Sequence, residues 1–381
     1  MRFFHLSDLH IGLKLMNHSL DEDQRYIFRE ISSYVKKKQP DAIVIAGDIY
    51  DKAVPSAEAV ELFDEFVMML TEAAPEAEIM MISGNHDSGS RVNVFRGILS
   101  RHHIHMIGLP PRSDDERIEK VTLKDENGPV NFYLLPFVKP SMVRGMVAKE
   151  GEAGLSYEES LRRLFAREDI NTDERNVLVS HQFFLPSGED AQNIERMESE
   201  ICTVGNVDAV SAELLKPFDY AALGHIHKPM KVGSEIIRYC GTPLACSVSE
   251  AGQEKGVIEV TLEAKGEIKT EVLPLKPLRE VRVLKGNLEE ILEHPSDDYV
   301  TVILTDVNGN DSFDMQDRLH FAFPHLLEIR REENRAADYQ VELTGLKHLD
   351  AYELCTEFLS DLNEEEKDIL RDVINTVREV R

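Results

Sequence analysis

Basic residues, cysteines and long apolar runs are the scarce features of this 381-residue chain, and each scarcity removes a class of protein. No apolar run approaches the ~20 residues that a membrane-spanning helix needs. The chain opens directly on the strand-like Arg2-Phe3-Phe4-His5-Leu6 rather than on a signal-peptide pattern. The expected location is therefore the cytoplasm. The four cysteines, Cys202, Cys240, Cys246 and Cys355, make no Cys-x-x-Cys pair, and such cysteines in a cytosolic chain read as small buried hydrophobes without a role. Lys and Arg total 43 against 70 Asp and Glu, a net charge of −27. A field of that sign repels polyanions, which weighs against a simple DNA-coating protein. Nucleic-acid contact would have to use local patches, bound cations or a partner chain. There is no internal repeat, no low-complexity tract and no Gly-x-x-x-x-Gly-Lys-Ser/Thr loop, so this chain is not expected to bind ATP through a P-loop.

What is present is a soluble globular composition, 42% hydrophobic, on a length that suggests two or three domains. Residues 2–7 read as a strand ending at Asp8-Leu9-His10. From Asp21 to Lys38, Ile27, Ile31, Tyr34 and Val35 form one helical face, with acids at the start and Lys36-Lys37-Lys38 as a solvated end. Ala42 to Ala46 is a buried strand ending at Gly47-Asp48. Pro55-Ser56 caps a helix whose expected buried stripe is Val60, Phe63, Val67 and Leu70. Ile79 to Ile82 is a third strand, delivering Gly84-Asn85-His86-Asp87. Strand and helix alternate, which predicts a layered α/β domain with largely parallel central strands. A helix is expected near Val92 to Ser100, a hairpin around Asn127-Gly128, and a helical excursion over 139–175. Two further strands end at His181 and at Gly224-His225-Ile226-His227, and paired strands to Leu273 close the domain.

Pro274 and Pro277 bracket a boundary. The expected domains are 1–275, a small α+β capping domain over 276–345, and a helical segment over 346–381. In the last, Asn363 and Glu366 form a capping box, and Ile369, Leu370, Val373, Ile374, Val377 and Val380 form one apolar stripe.

Chemistry collects at five strand ends: Asp8 with His10, Asp48, Asn85 with His86, His181, and His225 with His227. Polar residues just past the carboxyl ends of strands in an open α/β sheet read as a site. Asp8/His10 and His225/His227 are i, i+2 pairs, whose side chains share a face of an extended segment. Imidazoles with carboxylates and an amide oxygen suit manganese, iron or zinc, whereas an all-oxygen set would suit magnesium or calcium. Seven ligands are too many for one catalytic ion and fit two, about 3.5 to 4 Å apart, with Asp48 as the natural bridge.

In this order, Asp8-x-His10, Gly47-Asp48, Gly84-Asn85-His86-Asp87, His181 and Gly224-His225-x-His227 resemble the five motifs of the calcineurin-like metallophosphoesterases. Gly47-Asp48-Ile49-Tyr50-Asp51, the run from Phe218 to Pro229, and Tyr239-Cys240-Gly241-Thr242-Pro243-Leu244 narrow the resemblance to the SbcD family, nuclease subunits of bacterial SbcCD complexes. Gly205-Asn206 departs from the glycine pair of that family, and Asn tolerates the same backbone. The resemblance implies a metallophosphoesterase β-sandwich flanked by helices, with one manganese(II) ion held by Asp8, His10, Asp48 and His227 and a second by Asp48, Asn85, His181 and His225. It implies that His86 protonates the leaving oxygen and that Asp51 orients it; Asp87 is expected to fix the turn, and His102, His103 and His105 to be loop residues. It further implies 3′ to 5′ exonuclease and hairpin-opening endonuclease activity on double-stranded DNA in recombination and repair. An SbcC-like ATPase partner, met by the terminal helices in a heterotetramer, a homodimer through the nuclease domain, and association with the nucleoid follow from the same resemblance. The alternatives are a small-molecule phosphodiesterase or protein phosphatase on the same fold, and a non-catalytic scaffold.

Overall fold

Short continuous apolar runs alternate along the chain with segments of helical period, and the two patterns resolve into sheets covered by helices. The computed structural model describes residues 1–149, 151–152, 154–186, 208–305, 312–331, 351–359 and 362–379. In chain order the first part comprises β1 (Arg2–Leu6), α1 (Asp21–Lys38), β2 (Ala42–Ala46), α2 (Ala57–Ala73), β3 (Glu78–Ile82) and β4 (Ile104–Ile107). Next come β5 (Glu119–Asp125), β6 (Gly128–Leu135), α3 (Pro140–Val147), α4 (Tyr157–Phe165), β7 (Arg175–Ser180) and β8 (Tyr220–Leu223). Then follow β9 (Met230–Lys231), β10 (Ile237–Tyr239), β11 (Lys255–Leu262) and β12 (Ile268–Leu275).

One six-stranded sheet has the order β12-β11-β1-β2-β3-β4, and the other β9-β10-β8-β7-β6-β5. Strands β1 to β4 are parallel, as are β6, β7, β8 and β10. The inner faces meet through Phe3, Val44 and Met80 of the first sheet and Phe132, Val177 and Tyr220 of the second. Phe3 packs edge-on against Phe132 and Tyr220, with ring centroids 5.3 and 5.6 Å apart. The outer face of the first sheet, through Phe4, Ile43 and Ile79, buries Ile27 and Ile31 of α1 and Leu62 and Phe66 of α2. The outer face of the second buries Val143 of α3 and Leu161 of α4 against Tyr133 and Leu178. Buried on both sides, the central strands read as continuous apolar runs. The result is the layered β-sandwich flanked by helices that the sequence led us to expect.

Two details differ. Helix α2 buries Ala59, Leu62, Phe66 and Leu70 rather than Val60, Phe63 and Val67. Its sequence is apolar on more than one face, and the sheet took the adjacent stripe, leaving Val60 exposed and Phe63 and Val67 half-buried. The helix expected near Val92 to Ser100 is broken into single turns, because Phe95 adopts a left-handed φ of 62° that no helix continues through.

His5 illustrates how the sandwich buries a polar group. Its Nε2–H donates to the Leu223 carbonyl (3.1 Å), and its Nδ1 accepts from the Tyr220 hydroxyl (3.1 Å). The ring is thereby held neutral, and burial pushes its pKa down to about 3. The unfolded chain takes up this proton near pH 6.5 and the folded chain does not, so stability contributed by neutral His5 is lost as pH falls from about 6.5 to 3. Denaturant titrations should show a shallower loss across that window in His5→Gln than in the parent protein.

Beyond Pro277, β13 (Val281–Gly286), α5 (Leu288–Leu292), β14 (Tyr299–Leu304), α6 (Ser312–Ala322) and β15 (Leu326–Arg331) form a parallel three-stranded sheet with its own core of Val300, Val302, Leu319 and Phe323. It is tied to α1 by Arg279, which pairs with Glu22 (2.8 Å) and Asp23 (3.0 Å), and by the Tyr299 hydroxyl, which donates to Asp23 (2.9 Å). Helices α7 (Ala351–Phe358) and α8 (Glu364–Glu379) belong to a separate compact unit. There Asn363 and Glu366 exchange the reciprocal bonds of a capping box, both 2.9 Å, and the Arg371 guanidinium lies 5.1 Å from the Tyr352 ring. The onset of helicity expected from Lys347, and Val380 of the apolar stripe, lie outside the described residues.

Candidate metal centre

The ends of β1, β2 and β3 meet the ends of β7 and β8, because the loops that follow them are stitched together through the main chain. Asp8 N–H donates to Gly47 O and His10 N–H to Asp48 O, both at 3.0 Å, and Gly224 N–H donates to Ser180 O at 3.1 Å. His181 joins the two sheets, its Nδ1–H donating to Ala46 O at 2.7 Å. The loops approach so closely that side chains are excluded at the crossings. A Cβ on Gly84 would lie 2.1 Å from Asp48 Oδ1, and one on Gly224 would lie 2.0 Å from Ala46 O.

Left-handed backbone aims the polar side chains. Asp8 (φ 52°), His10 (42°), Asp48 (48°) and His225 (99°) all have positive φ, a conformation that costs free energy in non-glycine residues and concentrates at functional sites. The expectation that Asp8 and His10 share a face through an extended strand is therefore corrected: they converge by a left-handed turn. His225 and His227 do not address one point either. His225 Nδ1 lies 2.9 Å from Asn85 Oδ1, whereas His227 Nε2 lies 3.1 Å from His10 Nε2.

Three groups of donors meet at this centre, two of them wholly buried and the third made of His10, Asp48 and the half-buried His86. Of the buried two, one gathers Asp8, His10 and His227, the other Asp8, Asp48 and His181. Asp48 stands between them, with Oδ2 3.1 Å from His181 Nε2 and 3.9 Å from His10 Nε2, while Oδ1 accepts from the His86 N–H at 2.8 Å. Asn85 Oδ1 faces His181 Nε2 at 3.0 Å.

The lone pairs show what the site is made for. Since the His181 Nδ1 proton is given to Ala46, its Nε2 lone pair points at two further acceptors, Asp48 Oδ2 and Asn85 Oδ1. Such a meeting of acceptors requires a proton or a cation in its midst. In the metal-free chain it is a proton: burial disfavours charge on His181, but the carboxylates of Asp48 and Asp8 outweigh it and raise the pKa to about 9. Burial likewise pushes Asp8 up. Asp48, against its burial, is held well below the usual carboxylate range by the charges of His181 and His86. Nitrogen, carboxylate and amide donors in this arrangement fit borderline divalent ions.

A further layer was not legible in the sequence. Glu250 Oε1 accepts from His227 Nδ1–H (3.3 Å), and Glu250 Oε2 from Thr242 (3.0 Å) and from the buried Lys255 ammonium (2.7 Å). Although Glu250 is buried, His227 and Lys255 hold its pKa low. A carboxylate behind a ligating imidazole fixes tautomer and ring orientation. Glu250→Gln should therefore weaken divalent-metal affinity about 10- to 100-fold, measured calorimetrically, and also lower the melting temperature, because the buried Lys255 ammonium loses its carboxylate.

His86 sits at the rim, its Nε2 4.0 Å from Asp48 Oδ2. Its Nδ1–H donates to the main-chain carbonyl of Asp51 at 3.0 Å, so Asp51 positions it through backbone rather than through its carboxylate, which lies 3.8 Å from His10 Nδ1. Asp87 ties the turn, accepting from the N–H groups of Ile49, Tyr50 and Gly84 at 2.9 to 3.0 Å. His102, His103 and His105 are remote from these donor groups. His105 lies in β4 rather than in a loop, where it and His103 bind Glu78. A cavity of about 250 Å³ opens onto the centre, lined by His10, Asp51, His86, His227, Cys246 and Ser247 among others.

The chain belongs to the calcineurin-like phosphoesterase family, whose sequence model matches residues 1–229. Family membership and the buried donor groups together indicate a metal cofactor. Within that family it falls with the SbcD proteins. It is 32% identical over 296 residues to the SbcD component of the nuclease SbcCD of Staphylococcus epidermidis, covering 77% of this chain and 74% of that protein. It is 33% identical over 297 residues to the protein of the same name from Staphylococcus saprophyticus, with the same coverage. Residues 277–362 match the type 5 capsule protein repressor C-terminal domain. Among solved structures, a dimetal phosphatase from Danio rerio is similar over 73% of this chain and 98% of that one, at 13% identity and a TM-score of 0.43. No helix among the described residues is long and apolar enough to cross a membrane.

Proposed function

We propose that this chain is the nuclease subunit of an SbcCD-type complex, a manganese-dependent enzyme that hydrolyses phosphodiesters of double-stranded DNA at ends and hairpins. The observation that carries the reading is the convergence of Asp8, His10, Asp48, Asn85, His181, His225 and His227, with His86 at the rim, in a chain about a third identical to SbcCD nuclease subunits. Asp8, His10, Asp48 and His227 hold one manganese(II) ion. Asp48, Asn85, His181 and His225 hold the other. Bound there, the ions supply Lewis acidity and a nucleophile at neutral pH.

The protein's own part is positioning and proton delivery. With Nδ1–H committed to the Asp51 carbonyl, His86 has Nε2 left to carry a transferable proton toward the cavity. Water attacks phosphorus in line, the bond to the 3′ oxygen breaks, and the proton on His86 Nε2 passes to that oxygen. The enzyme forms no covalent intermediate.

The net charge of −27 leaves the DNA-binding surface to bound cations and to a partner. The SbcC-like ATPase meets the terminal helix, where Ile369 and Val373 are exposed. Val94, Phe95 and Ile98, all at least half exposed, support a homodimer through the nuclease domain. The complex works in the cytoplasm on nucleoid DNA. The test is digestion of end-labelled duplex and hairpin DNA in manganese, with and without the ATPase. Cleavage of both substrates supports the reading, and cleavage of a small nitrophenyl diester without cleavage of DNA overturns it.

A further inference from the structure

We propose that Cys246, His227 and Glu250 form an additional metal site that takes Zn²⁺ and, by drawing on His227, inhibits the enzyme. The inhibition rests on the nuclease reading above; the site itself does not. One ring nitrogen of His227, Cys246 Sγ and a Glu250 carboxylate oxygen lie within 4.8 Å of one another, and all three residues are buried. Tetrahedral zinc at 2.0 to 2.3 Å from its ligands sets donors roughly 3.5 Å apart, so a closure of about an ångström completes the site.

The chemistry of the set differs from that of the neighbouring centre. A thiolate beside an imidazole and a carboxylate selects zinc over manganese, and zinc also stands above manganese in intrinsic affinity for such donors. Glu250 is arranged for it. Its Oε2 is taken by Lys255 (2.7 Å) and Thr242 (3.0 Å), whereas Oε1 is turned toward His227 (3.3 Å) and Ser247 (3.2 Å).

Access and availability complete the case. Cys246 and His227 both line the 250 Å³ cavity, so an ion can enter from the substrate side and keep a water as its fourth ligand. Cys246 is a free cysteine, and among the described residues its Sγ makes a long contact to Leu244 O at 3.5 Å. Cys240, by contrast, is engaged with His5 O at 3.1 Å and Gly256 O at 3.5 Å. Binding expels the Cys246 thiol proton to solvent, moves the His227 Nδ1 proton to Nε2 so that Nδ1 can ligate, and forms the metal–sulfur bond, with no change of oxidation state.

The test uses the full chain and Co²⁺ as a spectroscopic stand-in for Zn²⁺. The expected result is a sulfur-to-cobalt charge-transfer band in the near ultraviolet that equimolar Zn²⁺ bleaches, absent in Cys246→Ser and retained in a Cys202→Ser/Cys355→Ser double variant. With manganese, Cys246→Ser should cleave DNA within about twofold of the parent, and its half-inhibitory Zn²⁺ concentration should rise at least about tenfold, a loss of roughly 1.4 kcal/mol of zinc affinity. No sulfur band in the parent, or a band that survives Cys246→Ser, overturns the site. Equal zinc sensitivity of the two overturns its inhibitory role. A band without DNA cleavage by either protein, assayed with the ATPase partner present, supports the site and overturns the nuclease reading instead.

Discussion

His86→Ala should lower phosphodiester cleavage about 10²- to 10⁴-fold, the usual contribution of a positioned general acid, and leave metal content unchanged. The separation follows from where the residue sits. His86 Nδ1–H is spent on the Asp51 carbonyl, and its Nε2 stands 4.0 Å from the nearest Asp48 oxygen; it shares a donor group with His10 and Asp48 but belongs to neither of the two wholly buried groups around Asp8. Its backbone N–H, which holds Asp48 Oδ1 at 2.8 Å, survives the substitution. The loss should fall on kcat, because an interaction made with the leaving oxygen is realised in the transition state. It should also be smaller on a substrate whose leaving group needs no proton, such as a nitrophenyl diester. Metal analysis alongside kinetics on both substrates checks this, and an equal loss on both would take the acid role away from His86.

Asp48→Asn should lower cleavage at least about 10³-fold, since metal-ion stabilisation of phosphoryl charge is worth several kcal/mol and each 1.36 kcal/mol is tenfold in rate. The carboxylate is buried, faces imidazoles of both donor groups, and cannot be replaced by a neutral amide without removing the charge that offsets two cations. A second readout is independent of catalysis. In the metal-free protein His181 has its pKa raised to about 9, mainly by Asp48 acting against burial. A folded pKa above the unfolded value of about 6.5 gives stability that is full below pH 6.5 and lost as pH rises toward 9. Metal-free parent protein should therefore lose stability across that window, and Asp48→Asn should show a flatter profile.

The candidate metal centre was readable from the sequence because each of its strands is an apolar run that stops at a polar residue. Such an ending is visible without knowing which strand pairs with which. The layered sheets and the cap at Asn363 were readable for the same reason, a local pattern with one physical cause. What could not be read depended on contacts across the fold. Glu250 and Lys255 lie in a turn and an adjoining strand with no motif around them, and their role exists only because His227 is set against them. Helix α2 offers more than one apolar face, and only packing on the sheet selects Leu62 and Phe66 over Phe63 and Val67. The left-handed turns at Asp8, His10 and Asp48 are invisible in residue type, as is the use of the Asp51 carbonyl in place of its side chain.

Manganese titration followed by electron paramagnetic resonance tests the central claim most directly. The account predicts two manganese(II) ions per chain whose spectrum shows magnetic coupling through a shared carboxylate, collapsing to the signal of isolated ions or to none in Asp48→Asn. A single ion per chain, or two ions with the spectrum of independent sites in the parent protein, would contradict it.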